Sequence, residues 1–259
     1  MMADLLYWQY ALIGLVFVWS GFVRTGLGFG GAVLTLPFLL LILDQPLVFL
    51  PIIAIQYLFF AALNIWISHL KSSDNATIDG TVDWPYFRKS LKIMIVPKFI
   101  GVLGLLTLPN EIMSAIIYFI VIVYSISYIL NRPFKSNKPW LDNVFLVLGG
   151  YVSGTSLIGA PLVMAVVSAH VDKHKLRDTV FALLFLLVLI KVLSFVAAGV
   201  NLHMEEQFWL LPCAYVGHII GNRLHGYLVK TEQRIFYKIL GYVLIAVSSL
   251  GMLNTLGNL

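Results

Sequence analysis

The sequence holds a single cysteine, Cys213, in 259 residues. One thiol cannot form an internal disulfide, and it excludes a cysteine-rich metal site. Charge is scarce as well. Asp, Glu, Lys and Arg make up 11% of the chain, against 60% hydrophobic residues and a mean hydropathy of +0.92. A soluble domain of this length needs more polar surface than that. No HExxH, CxxC or Ser/His/Asp arrangement occurs. An enzyme is therefore not indicated, and no metal or other cofactor is expected. The opening MMADLLYWQY lacks the basic stretch of a secretory signal, so no cleaved leader is expected. The longest polar interval, about 69–88, is short enough to be a loop.

What is there is a series of apolar runs, at about 6–24, 31–43, 46–68, 88–108, 112–131, 141–153, 159–170, 178–199, 207–229 and 234–255. Most can span a hydrocarbon layer ~30 Å thick as helices. The chain reads as an all-α polytopic membrane protein. A pI of 9.2 in such a chain points to basic cytoplasmic loops rather than to nucleic acid. Two runs, 31–43 and 159–170, are too short, covering roughly 17–20 Å as helices. Each follows a break rich in glycine or serine.

The two breaks are related. GFVRTGLGFGGA (21–32) aligns without gaps on GYVSGTSLIGAP (150–161), an offset of 129. VDWPYF precedes Pro97, Gly101 and Gly104, as EEQFW precedes Pro212, Gly217 and Gly221. Two repeats are expected, 1–130 and 131–259, each a broken helix hairpin plus three transmembrane helices. If the broken segments crossed the membrane, basic loops would fall on both faces. If each turns back, 13 of the 17 Lys and Arg share one face, in loops 69–92, 132–138, 173–177 and 230–238. The other face then carries Asp4, Asp44, Glu111, Glu205 and Glu206, with no Lys or Arg. The positive-inside rule selects this second arrangement. It makes the repeats inverted, as in many secondary transporters, and puts both termini on the periplasmic side of a bacterial inner membrane.

Four cations remain inside apolar runs: Arg24, Lys98, Lys191 and Arg223. All twelve acids lie in loops or near run ends. A central Arg or Lys costs about 2.5–3.5 kcal/mol to insert, and without a protein carboxylate a bound anion is the natural compensation. Lys98 and Arg223 can equally snorkel to the cytoplasmic face. Half-helices starting near Gly31 and Ala160 would offer unpaired N–H groups to an anion. Gly26, Gly28, Gly30, Gly31, Gly154 and Gly159 would let the backbone approach it, and Thr25, Ser153, Thr155 and Ser156 would add hydroxyl donors. Gln56 and Asn64 can line the site or bond between helices. His218 can relay protons or hold a structural hydrogen bond.

GLGFGGAVLTLP after an N-terminal helix, GTSLIGAPLVM in mid-chain, the VDW loop and GNRL at 221–224 together resemble the TauE/SafE family of sulfite and organosulfonate exporters. The resemblance covers essentially the whole chain. It implies an inner-membrane transporter of small sulfur-containing anions such as sulfite, thiosulfate or sulfonates. The sequence departs where SLIGAP stands in place of a glycine-rich run. The expected function is export of such an anion, with Arg24, the two half-helix N-termini and the hydroxyls as contacts and Lys98, Lys191 and Arg223 in a supporting set. Uptake coupled to H⁺ or Na⁺, and transport of small carboxylates, stay open. So do a lysine-linked chromophore protein and a scaffold subunit. The expected partners are the anion and the lipid bilayer, with a homodimer left open.

Overall fold

The computed structural model describes residues 5–27, 31–71, 82–131, 134, 136, 138–230 and 233–257. Among these residues there are ten helices and no strand: α1 (Tyr7–Leu27), α2 (Leu36–Ile42), α3 (Pro46–Lys71), α4 (Trp84–Thr107), α5 (Asn110–Ile129), α6 (Pro139–Ser156), α7 (Ala160–His170), α8 (Lys173–Ala197), α9 (Met204–Lys230) and α10 (Gln233–Gly257). Five of them are long and apolar enough to cross a membrane: α3, α4, α5, α8 and α10. α5 and α8 are rich in Ile, Val and Phe, residues that favour strands in water. In lipid every backbone N–H and C=O must be satisfied within its own segment, and that requirement overrides side-chain propensity. Helix ends follow local rules. Pro stands at the first helical positions of α2, α6 and α7, where no N–H is needed. Asp83 Oδ1 accepts from the Tyr86 N–H at 3.0 Å and caps α4.

The chain forms two compact units. The first comprises Met1–Leu50, Thr107–Pro133 and His203–Leu259; the second comprises Pro51–Leu106 and Phe134–Leu202. Each unit therefore draws on both halves of the sequence.

In the first unit α1 lies beside α9, running in the same direction. Tyr10 meets Trp209, Gly14 faces Trp209 and Cys213, and Gly21 faces Ala214 and His218. A Cβ on Gly21 would stand 1.9 Å from the Ala214 carbonyl oxygen, and one on Gly217 1.9 Å from that of Val18. The seam is two backbones in contact, possible only without side chains there. α5 and α10 run antiparallel, with Gly241 against Ser125 and Ile129, and Gly251 under the Tyr118 ring. Phe17, Leu39, Ile117, Leu210 and Leu244 are buried within this unit.

The second unit repeats the device. α4 and α6 run in the same direction, and a Cβ on Gly101 would stand 2.3 Å from the Tyr151 carbonyl oxygen. Met94, Leu146, Val163, Val166, Leu183 and Leu187 form its core. In both units large apolar side chains such as Phe119, Leu193, Phe208 and Leu253 are exposed. A soluble monomer rarely shows so much apolar surface, whereas a bilayer covers it.

Both short helices turn back on the helix before them. Trp19 Nε1 donates to the Leu34 carbonyl at 3.1 Å, and Gly31 lies against Arg24 and Ser20. Gly149 lies against Gly159, Leu162 and Val163. α1–α2 and α6–α7 are thus helical hairpins.

Candidate functional site

The turn of the second hairpin begins at Leu157, a non-glycine residue in the left-handed region (φ 62). It ends α6 at Ser156 and lets α7 begin at Ala160, the position anticipated from the sequence. Ser153, Thr155 and Ser156 occupy the last turn of α6 and are buried. The last four carbonyls of a helix have no partner within it. Here lysines supply two. Lys98 of α4 donates from Nζ to the Ser153 carbonyl at 2.8 Å and to Ser153 Oγ at 2.9 Å. Lys191 of α8 donates from Nζ to the Thr155 carbonyl at 3.2 Å and lies 5.5 Å from the Phe195 ring centroid.

Both lysines are fully buried (0% exposed). Lys98 therefore does not snorkel, one of the two roles open to it from the sequence. The two amines are close enough to feel each other's charge, and neither meets a carboxylate among the described residues. A protonated lysine has three N–H donors. The contacts above use two on Lys98 and one on Lys191, leaving one and two donors without a partner among the described residues.

The glycines here have packing duties. A Cβ on Gly154 would stand 2.4 Å from the Lys98 carbonyl oxygen, and one on Gly159 2.4 Å from that of Gly149. Gly154 thus lets α4 approach, and Gly159 closes the hairpin. The Thr155 and Ser156 hydroxyls donate back to the Val152 carbonyl at 3.1 and 3.0 Å. Their hydrogens are engaged within α6, so neither hydroxyl stands as the free donor expected from the sequence. Gln56 is buried in the same unit.

The first hairpin differs from the expectation. α2 begins at Leu36, not near Gly31, because residues 31–35 form turns in which the Thr35 and Leu36 N–H groups already donate to the Ala32 carbonyl. Thr35 and Leu36 thus have their N–H groups engaged, Pro37 has none, and the helix has only 7 residues. Arg24 sits in the last turn of α1, with Gly26 just beyond it. Gly28 and Gly30 lie outside the described residues, as does the side chain of Asn64. Thr25 Oγ1 is bonded to His218 Nδ1 of α9 at 2.7 Å, and His218 Nε2 to Asn222 Nδ2 at 3.1 Å. The Arg24 charge is felt at the His218 ring. Asn222 carries no warning in the sequence beyond its i, i+4 spacing from His218 on one face of α9. Arg223 is exposed, as snorkelling allows.

Each unit thus joins its hairpin to polar side chains of the helix packed beside it. In the first unit the cation is on the hairpin and the imidazole of His218 on α9. In the second the hydroxyl is on the hairpin and the lysine on α4.

The sequence matches the family model described as Sulfite exporter TauE/SafE over residues 12–250. That is nearly the whole chain, and the chain belongs to this family. No curated protein and no solved structure matches it. The family is one of transporters and not of enzymes, and this chain is a multi-pass membrane transporter.

Proposed function

We propose, for this member of the TauE/SafE family, a secondary transporter that exports small sulfur-containing anions such as sulfite or an organosulfonate. The observation that carries the reading is the pair Lys98 and Lys191. Two fully buried amines meet at one end of α6 with donors to spare and no carboxylate partner among the described residues. An anion brought there favours their protonated form and takes up the free donors. The contacts proposed in this unit are Lys98, Lys191, Ser153 and Gln56, with Thr155 and Ser156 joining by turning their hydroxyls from the Val152 carbonyl to the anion, and Gly154 and Gly159 shaping the backbone. In the other unit they are Arg24, Thr25, Gly26 and Gly31, together with Gly28 and Gly30. Arg223 is proposed as a charge on the access path.

The proposal includes two inverted repeats, 1–130 and 131–259, in a bacterial inner membrane with both termini periplasmic. The shared direction of α1 with α9, the shared direction of α4 with α6, and the opposed α5 and α10 support that topology. An inside-negative potential favours exit of an anion by ~2.3 kcal/mol per charge per 100 mV, so export requires no coupling ion.

The test is flux from proteoliposomes loaded in turn with sulfite, thiosulfate, sulfate, isethionate, sulfoacetate and acetate. Electrogenic flux of one or more sulfur anions, lost in Lys98→Met, is the expected result. Flux of acetate alone, or of none of them, overturns the reading.

A further inference from the structure

The first unit contains a cavity of about 340 Å³ lined by Leu40, Leu41, Ile42, Asp44, Tyr118, Gly251, Asn254 and Thr255. It belongs to neither hairpin turn. Leu40, Leu41 and Ile42 are the last three residues of α2, and Gly251, Asn254 and Thr255 lie in the last two turns of α10. Two helix C-termini therefore meet at one cavity. The final carbonyls of a helix lack partners within it and carry the negative end of its dipole. Cations are the usual complement, yet neither helix has a basic residue in its last turn.

To these carbonyls the chain adds a carboxylate. Asp44 Oδ2 accepts from Thr255 Oγ1 at 3.0 Å. Asp44 Oδ1 is shut off from solvent and meets no donor among the described residues. The Tyr118 hydroxyl is near enough to feel the Asp44 charge. A buried carboxylate oxygen without a donor is costly, and more so beside two negative helix ends. Among the described residues no Lys, Arg or His lines the cavity.

We infer that this cavity binds a monovalent metal cation of the sodium class, held by Asp44 with Thr255, Tyr118 and Asn254 as neutral oxygen donors. One carboxylate matches a single positive charge. A calcium or magnesium site draws on several hard oxygen ligands, commonly with more than one carboxylate. The volume is about ten times the share of one water in the liquid, so the ion keeps part of its water shell. In the sequence Asp44 passes as a charge in an outer loop. Its neighbours Tyr118 and Thr255 are far away along the chain, and only the packing of α2, α5 and α10 assembles the set. This site is a property of the first unit and does not depend on the anion reading.

The test is thermal unfolding of the purified full-length protein in sodium, potassium, magnesium or choline chloride at matched ionic strength. Sodium is expected to raise the melting temperature saturably by about 2–4 °C over choline, and Asp44→Asn to abolish the rise. If Asp44→Asn does not fold, Thr255→Val decides. It keeps the carboxylate and should move the sodium midpoint about tenfold higher, the effect of losing about 1.4 kcal/mol. Equal melting temperatures in sodium, potassium and choline overturn the inference. So does a full sodium shift in Asp44→Asn, or an unmoved midpoint in Thr255→Val.

Discussion

Lys98 grips Ser153 twice, through its carbonyl at 2.8 Å and its hydroxyl at 2.9 Å. One lysine thereby ties α4 to the end of the first helix of the second hairpin. It also closes a carbonyl that the helix leaves without a partner.

Replacing Lys98 with Met should have two separable effects. The Ser153 carbonyl loses its donor in a buried place, at a cost of about 1–3 kcal/mol. Anion flux should fall by more than about tenfold, beyond what the lost stability explains. Melting temperature and flux per folded molecule, measured side by side, separate the two. Flux within about twofold of wild type would remove Lys98 from the site.

Arg24 lies one residue before Thr25, whose hydroxyl is tied to His218. Arg24→Ala should abolish anion flux in proteoliposomes, while Arg24→Lys should retain it at weaker apparent affinity. A guanidinium and an ammonium share charge but not bidentate geometry. Wild-type flux in the Ala variant would remove Arg24 from the site.

Thr25 and His218 should be energetically coupled. Their contact is 2.7 Å, across the α1–α9 seam. A double-mutant cycle with Thr25→Val and His218→Ala, followed by thermal or denaturant unfolding, should give about 0.5–3 kcal/mol of coupling. Additive single effects would mean that the bond contributes nothing.

The glycine seams should be intolerant of even one methyl group. Gly217→Ala places a carbon 1.9 Å from the Val18 carbonyl oxygen, and Gly101→Ala one 2.3 Å from that of Tyr151. Each should destabilise by about 1–3 kcal/mol, because backbone cannot step aside as a side chain can. Gly14→Ala is the control. Its nearest neighbour is the Trp209 ring at 3.4 Å, and its melting temperature should barely move.

Much of this was legible in the sequence. Runs of apolar residues of spanning length predict the long helices, since lipid leaves the backbone no alternative to satisfying itself. The gapless match of 21–32 on 150–161 marks both breaks, and the start of α7 at Ala160 lies where it was expected. The four cations in apolar runs could be picked out by hydropathy alone, because a charge in such a run needs a reason.

Their partners could not be read in the same way. Lys98 and Arg223 look alike as basic residues in apolar runs, yet one is wholly buried on Ser153 and the other is exposed. Which way a lysine turns depends on the helix packed beside it. That in turn depends on Gly101 and Gly154 letting two backbones touch. The late start of α2 escaped for a related reason, since residues 31–35 adopt turns, with the Thr35 and Leu36 N–H groups both on the Ala32 carbonyl, and a glycine run reads the same whether it opens a turn or a helix. Hydropathy and charge therefore determined that the chain is a helical membrane protein and where its helices break. Tertiary structure decided which polar groups meet at those breaks, because residues far apart in the chain become neighbours only when helices pack.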